Sequence, residues 1–155
     1  MNTFTKKIIG KPEKWLIEAA ASIGLDFSML SHETTNFFKN HVMKRHGNDP
    51  LKITESNFDK IPIIVKAPDM AVIGAIRGGI IFNAYAKRDA GETYLYFDEV
   101  IDSNRNKALR SRTLYKVAKK LDMDGFVKII IMNEKTDLTK AKKVIAAGGH
   151  PGEEA

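Results

Sequence analysis

At 155 residues, with 43% hydrophobic and 28% charged side chains, the chain has the length and balance of one globular domain. It has no cysteine, which excludes disulfides and cysteine-ligated zinc, and no apolar run approaching the roughly 20 residues that span a bilayer. Its 25 Lys and Arg against 19 Asp and Glu leave a formal charge of +6, which suits polyanionic partners through counterion release and equally serves plain solubility.

The start, MNTFTKKIIGKPEKW, has no hydrophobic core of a signal peptide, so a cytoplasmic protein is expected. Pro12 suits the first turn of a helix, Trp15, Leu16, Ala19, Ala20 and Ile23 recur at helical spacing, and Gly24 ends it. Ser31 is a good N-cap for a second helix with an apolar stripe of Phe37, Phe38, His41 and Val42, closed by Gly47 as a left-handed C-terminal residue. Asn48-Asp49-Pro50 reads as a turn. Thr54 caps a short helical turn, Pro62 starts another, and Pro68-Asp69 is a turn.

After that the period changes. Residues 70–76 and 80–87 are β-rich runs joined by Gly78-Gly79, a pair that supplies the two positive φ angles of a type I′ hairpin and lacks the strand–loop–helix pattern of a phosphate loop. Residues 93–101 form a third strand and 103–106 a polar turn. Residues 107–117 also fit helical spacing through Leu109, Leu114, Val117 and Leu121, but a strand sorts them more cleanly after that turn. A fifth strand is expected over 126–132 and a helix over 138–147, capped by Thr136 or Asp137. The class is α+β: N-terminal helices followed by a four- to five-stranded antiparallel β-sheet, with a short C-terminal helix. Residues 1–150 are expected as a single domain and 151–155 as a flexible tail.

Five stretches occur in a telling order: HVMKRHG (41–47), FDKIPIIVKAPD (58–69), IFNAYAKR (81–88), TYLYFDEV (93–100) and RTLYK (112–116). Together, over about residues 30–117, they resemble the phage-encoded barnase–EndoU–colicin–RelE-like nuclease domains. The resemblance implies a small α+β domain that cleaves RNA without a metal or cofactor, often leaving a cyclic phosphate. It points to His46, Lys87, Thr113 and Tyr115, with Arg110 and Arg112 as phosphate partners. Many such domains are toxins and others have lost activity, so membership alone does not establish catalysis. The helix around Trp15 and everything after Lys116 lie outside the matching motifs.

Cleavage of this kind needs a base for the 2′-hydroxyl, an acid for the leaving oxygen, and cations for the phosphorane. An imidazole, with an unperturbed pKa near 6.5, suits proton transfer at neutral pH. His46 is the candidate, at a helix C-terminus whose dipole favours its charged form while Lys44 and Arg45 oppose it; a plainer reading has it capping the last turn. His41 reads as a half-buried core histidine, and His32 and His150 as exposed bystanders. His41 and His46 are five apart and diverge around a helix, so no metal site is expected.

Under strict alternation Thr113 and Tyr115 share a strand face with Ser111 and Leu109, beside Tyr94, Tyr96 and Asp98. That face is either a phosphate- and base-binding surface or an ordinary solvated one. Arg110, Arg112 and Lys116 then fall on the other face, unless a bulge re-aims them, and Arg110 could pair with Glu99. Lys87, with Arg88 after it, ends a strand and shares a face with Asn83 and Tyr85, as a phosphate ligand or as a plain strand-end lysine.

The expected function is a metal-independent endoribonuclease using His46, Lys87, Arg112, Thr113 and Tyr115, with Lys44, Arg45, Arg88, Tyr96, Arg110 and Lys116 binding nucleic acid. The alternatives are an inactive nucleic-acid-binding module, or a phage protein that binds and blocks a host protein. RNA is the expected partner, an immunity or host protein the second, with no membrane.

Overall fold

The computed structural model describes residues 5–117 and 128–131. In chain order it contains β1 (Lys6–Gly10), α1 (Lys14–Ala21), β2 (His32–Thr35), α2 (Asn36–His46), a 3₁₀ turn (Glu55–Lys60), α3 (Ile61–Lys66), β3 (Met70–Arg77), β4 (Ile80–Asp89), β5 (Glu92–Asp102), β6 (Lys107–Val117) and β7 (Lys128–Ile131). Six strands run side by side as β1-β2-β6-β5-β4-β3, and β7 adds at the β3 edge. The class is α+β as expected, but helices interleave with strands rather than preceding them. The sheet is mixed rather than antiparallel: β2 pairs parallel to β6, and β7 parallel to β3. The expected helix over 138–147 and the tail over 151–155 lie outside the described residues. Among the described residues, no helix is long and apolar enough to cross a membrane.

The α1 stripe buries Leu16, Ala19 and Ala20, and Gly24 follows with φ +84°. Thr54 and Asn57 close a capping box at the 3₁₀ turn. Gly78 and Gly79, at φ +58° and +78°, turn the β3–β4 hairpin. Residues 107–117 are the strand β6, paired along its length with β5.

The expected second helix began too early. Residues 32–35 are a strand, and Ser31 leads into it, its carbonyl accepting from Leu109 N at 2.9 Å. Thr35 is the true cap, its hydroxyl accepting from Phe38 N at 3.0 Å. His-Glu-Thr-Thr shows no apolar alternation, so only its two neighbours, β1 and β6, define it as a strand. Gly47 is right-handed at φ −67°, not left-handed; glycine is required because a Cβ there would collide with the Met43 carbonyl oxygen.

The helices cover one sheet face, where Leu16, Phe38, Ile64, Tyr85, Tyr96 and Leu114 form the main core. The opposite face carries a smaller set that includes Val72, Ala84, Leu95 and Phe97, with Tyr115 and Val117 against it. A bulge decides which β6 residues reach which face. Phe97 lies opposite Thr113 but Asp98 opposite Ser111, so Arg112 is the extra residue. Leu109 and Ser111 therefore share the helix-covered face with Tyr96 and Asp98. Thr113 and Tyr115 share the other face with Phe97 and Leu95. Strict alternation through this segment does not hold; the bulge left open as the alternative is present and re-aims Arg112.

Candidate active site

The site forms where the C-terminal end of α2, the bulge of β6 and the β3–β4 hairpin meet. The bulge puts the Tyr115 ring on the open face, parallel to Phe97 with centroids 6.1 Å apart and planes 13° apart. The His46 ring stacks on Tyr115 from outside, at 5.1 Å and 22°. The chain folds back around His46: its carbonyl accepts from Asp49 N at 3.3 Å and from Ile53 N at 3.2 Å. That turn carries the Asp49 carboxylate to 2.7 Å from His46 Nδ1. With Nδ1 engaged, Nε2 is the ring nitrogen left for chemistry.

A cleft of about 540 Å³ opens beside this stack, bordered by His41, Arg45, His46, Arg112, Thr113 and Tyr115, with Phe82, Phe97 and Ile80 as its apolar part. Arg112, pushed out by the bulge, lies over the Phe82 ring, its guanidinium carbon 5.6 Å from the centroid. Glu99 Oε1, 3.3 Å from Nη1, orients it. Lost hydration, and then the positive charges of Arg45, His46 and Arg112, hold the His41 pKa below the ordinary histidine value. Burial pushes the Tyr115 phenol up to about 12, so it is a proton donor in hydrogen bonds and not a base near neutral pH. Two imidazoles share one pocket: His41, whose surroundings disfavour its charged form, and His46, held at Nδ1 by a carboxylate.

The structure thus brings His46, Arg45, Arg112, Thr113 and Tyr115 together. Lys87 pairs in register with Tyr94 on the helix-covered face, its Nζ 3.7 Å from Asp69 Oδ1. Arg88 donates its backbone N–H to Asp69 Oδ2 at 2.7 Å. Lys116 sits over the Tyr94 ring at 5.7 Å with Nζ 2.8 Å from Glu92 Oε2. Tyr96 is fully buried, its hydroxyl 2.6 Å from Ser111 Oγ, so it offers no surface to a nucleic acid. Arg110 is held at Nε by Glu33, 2.7 Å away, and lies opposite Glu99 in the β5–β6 register. Lys44 is exposed on α2, outside the cleft.

Two histidine expectations are reversed. His41 is exposed at the cleft and not part of the core, whereas Phe38 and Val42 of the expected stripe are buried. His32 is not an exposed bystander but 1% exposed inside the protein. Its Nδ1 lies 3.8 Å from Asp98 Oδ2, too far for a hydrogen bond. Asp98 accepts from Asn83 Nδ2 and Tyr85 Oη, both at 2.8 Å. Burial pulls His32 down to about 4 and pushes Asp98 up to about 7. Between about pH 4 and pH 7 the two therefore face each other as imidazole and carboxylic acid, not as an ion pair. His150 lies outside the described residues.

Sequence reasoning missed His41 and Asp49. Asp49 carried a signal, three residues after His46 in a turn. His41 was hidden because its helical spacing matched a core stripe. Residues 10–123 match the family described as phage-Barnase-EndoU-ColicinE5/D-RelE like nuclease3. No curated protein and no solved structure matches the chain.

Proposed function

Since this chain belongs to the family of phage-Barnase-EndoU-ColicinE5/D-RelE like nucleases, we propose that it cleaves RNA in the cleft beneath His46 by metal-independent acid–base chemistry. The observation that carries the reading is the meeting of two imidazoles, two guanidinium groups, a threonine hydroxyl and a phenol in one hollow of about 540 Å³. His41, kept neutral, takes the proton of the 2′-hydroxyl. The 2′-oxygen attacks phosphorus, and the bond to the 5′-oxygen breaks. Protonated His46 gives its Nε2 proton to that leaving oxygen. Asp49 holds the ring and balances its charge. Arg112 and Arg45 neutralise the phosphorane, and the Thr113 and Tyr115 hydroxyls donate to its oxygens. The products are a 2′,3′-cyclic phosphate and a 5′-hydroxyl.

The test is a labelled RNA incubated with the protein in EDTA, beside the same RNA carrying a 2′-deoxy nucleotide at the cleaved position. The first should yield cyclic-phosphate ends and the second stay intact. Cleavage of the deoxy substrate, or no product from either, refutes the mechanism. RNA binding without turnover would make the chain a nucleic-acid-binding module.

Binding should weaken steeply with salt. Removing one phosphate-contacting cation, Arg45→Ala, is expected to make the slope of log affinity against log salt shallower by about one unit. Fluorescence anisotropy across a salt series measures it, and an unchanged slope takes Arg45 off the nucleic-acid path.

A further inference from the structure

His41 and Arg112 border a second hollow as well as the cleft. It measures about 350 Å³ and lies between the start of α2 and the middle of β6, with Phe37 and Arg110 in its wall. The two hollows meet at the imidazole and guanidinium that the mechanism places around the phosphate. A strand whose scissile phosphate sits there has room for one nucleoside on each side. The ring at the second hollow is Phe37, the second residue of α2, and it is 44% exposed. Its neighbour Arg110 is fixed at Nε by the buried Glu33, which sets the guanidinium in place on the wall.

Charge decides between the two exits from the cleft. Past Ile80 a third hollow, of about 300 Å³, is lined by Asp26 and Asp102 with no basic side chain in its wall among the described residues, and these repel a phosphate backbone; Glu99 borders both this hollow and the second, where it faces Arg112. The Phe37 side pairs an aromatic face with arginines, the combination that holds unpaired nucleotides by stacking and by backbone attraction. We propose that this second hollow is a nucleoside subsite across the scissile phosphate from the cleft, its base stacked on Phe37 and its backbone beside Arg110. The proposal rests on the ribonuclease reading for its orientation. It makes Phe37 a specificity-determining residue that acts on the substrate and not on the proton transfers.

The test is a short oligoribonucleotide with a single abasic ribose placed on either side of the cleaved bond. Phe37→Ala should lower kcat/KM on the intact oligonucleotide by roughly 10-fold, the scale of one base–aromatic stack. With the base missing on one particular side, wild type and variant should become equal; with it missing on the other side, the 10-fold gap should persist. Phe37→Trp should restore the wild-type pattern and Phe37→Leu should not, which separates stacking from packing of α2. A loss that is the same whichever base is missing, or no loss, overturns the subsite. If wild type binds but does not cleave, dissociation constants of the same oligonucleotides replace kcat/KM. A position-specific loss there upholds the subsite while refuting the catalytic reading, and absence of binding refutes both.

Discussion

His46→Ala is expected to lower the rate of RNA cleavage by about 10²–10⁴, the range for losing a positioned acid or base. His46 is held from two sides, by Asp49 at 2.7 Å from Nδ1 and by the Tyr115 ring at 5.1 Å. It therefore presents Nε2 in a defined direction. His41 lines the same cleft, but its depressed pKa suits the opposite role. Truncating His46 also removes a ring that is only 18% exposed. A thermal melt and the His46→Gln variant, which keeps most of the volume, separate lost chemistry from lost packing. Gln should be as slow as Ala if proton transfer is the cause. Asp49→Asn keeps the turn and should give a smaller loss than His46→Ala, because the ring stays but is less firmly oriented. Wild-type rates in His46→Ala would remove His46 from the mechanism.

The buried pair of His32 and Asp98 should reveal itself as two opposed pH slopes in stability. Asp98 is raised from 3.8 to about 7 in the folded protein. Its contribution is fully present below the unfolded value and is lost as pH rises toward 7. His32 is lowered from 6.5 to about 4. Its contribution is present above 6.5 and is lost as pH falls toward 4. Across that window the folded pair and the unfolded pair carry the same number of protons, so the two slopes cancel. Each substitution exposes the other. Asp98→Asn should become more stable as pH rises from 4 to 6.5, and His32→Phe less stable as pH rises from 4 to 7. Each slope is at most about 1.4 kcal/mol per pH unit, one proton's worth. Both variants should also lose stability overall, since Asp98 serves two buried donors and His32 fills core volume between β1 and β6. Urea melts at several pH values measure this, and parallel, flat profiles in both variants would show that the pair titrates as in solution.

Part of the site could be read directly. His46 ends a recognisable helix, and the order of short motifs from residue 41 to residue 116 carries the family resemblance that the match over 10–123 extends. The hairpin at Gly78-Gly79 is equally local, because φ values of +58° and +78° favour residues without a Cβ. Arg112 could not be read this way. Its position depends on a bulge, and nothing in Ser-Arg-Thr-Leu announces that two residues will face one on β5. The two reversed histidines have the same origin. A histidine's burial depends on the element laid against it, and β2 is covered by partners as distant as Leu109 and Arg110.

What the amino-acid order determined by itself is local: where helices α1 and α3 begin, where the hairpin turns, which residue types can move protons or hold phosphate, and the run of motifs that carries the resemblance to the phage-Barnase-EndoU-ColicinE5/D-RelE like family. Those follow from spacing and from φ preferences acting within a few residues. The tertiary structure alone decided that β2 is a strand, that His41 faces solvent while His32 does not, and that Arg112, Thr113 and Tyr115 surround the same cleft as His46. Each of those depends on pairing between segments tens of residues apart, as in the Arg110–Glu33 contact across 77 positions. One inserted residue in β6 reverses the face of every side chain that follows it, because strand side chains alternate with a period of two.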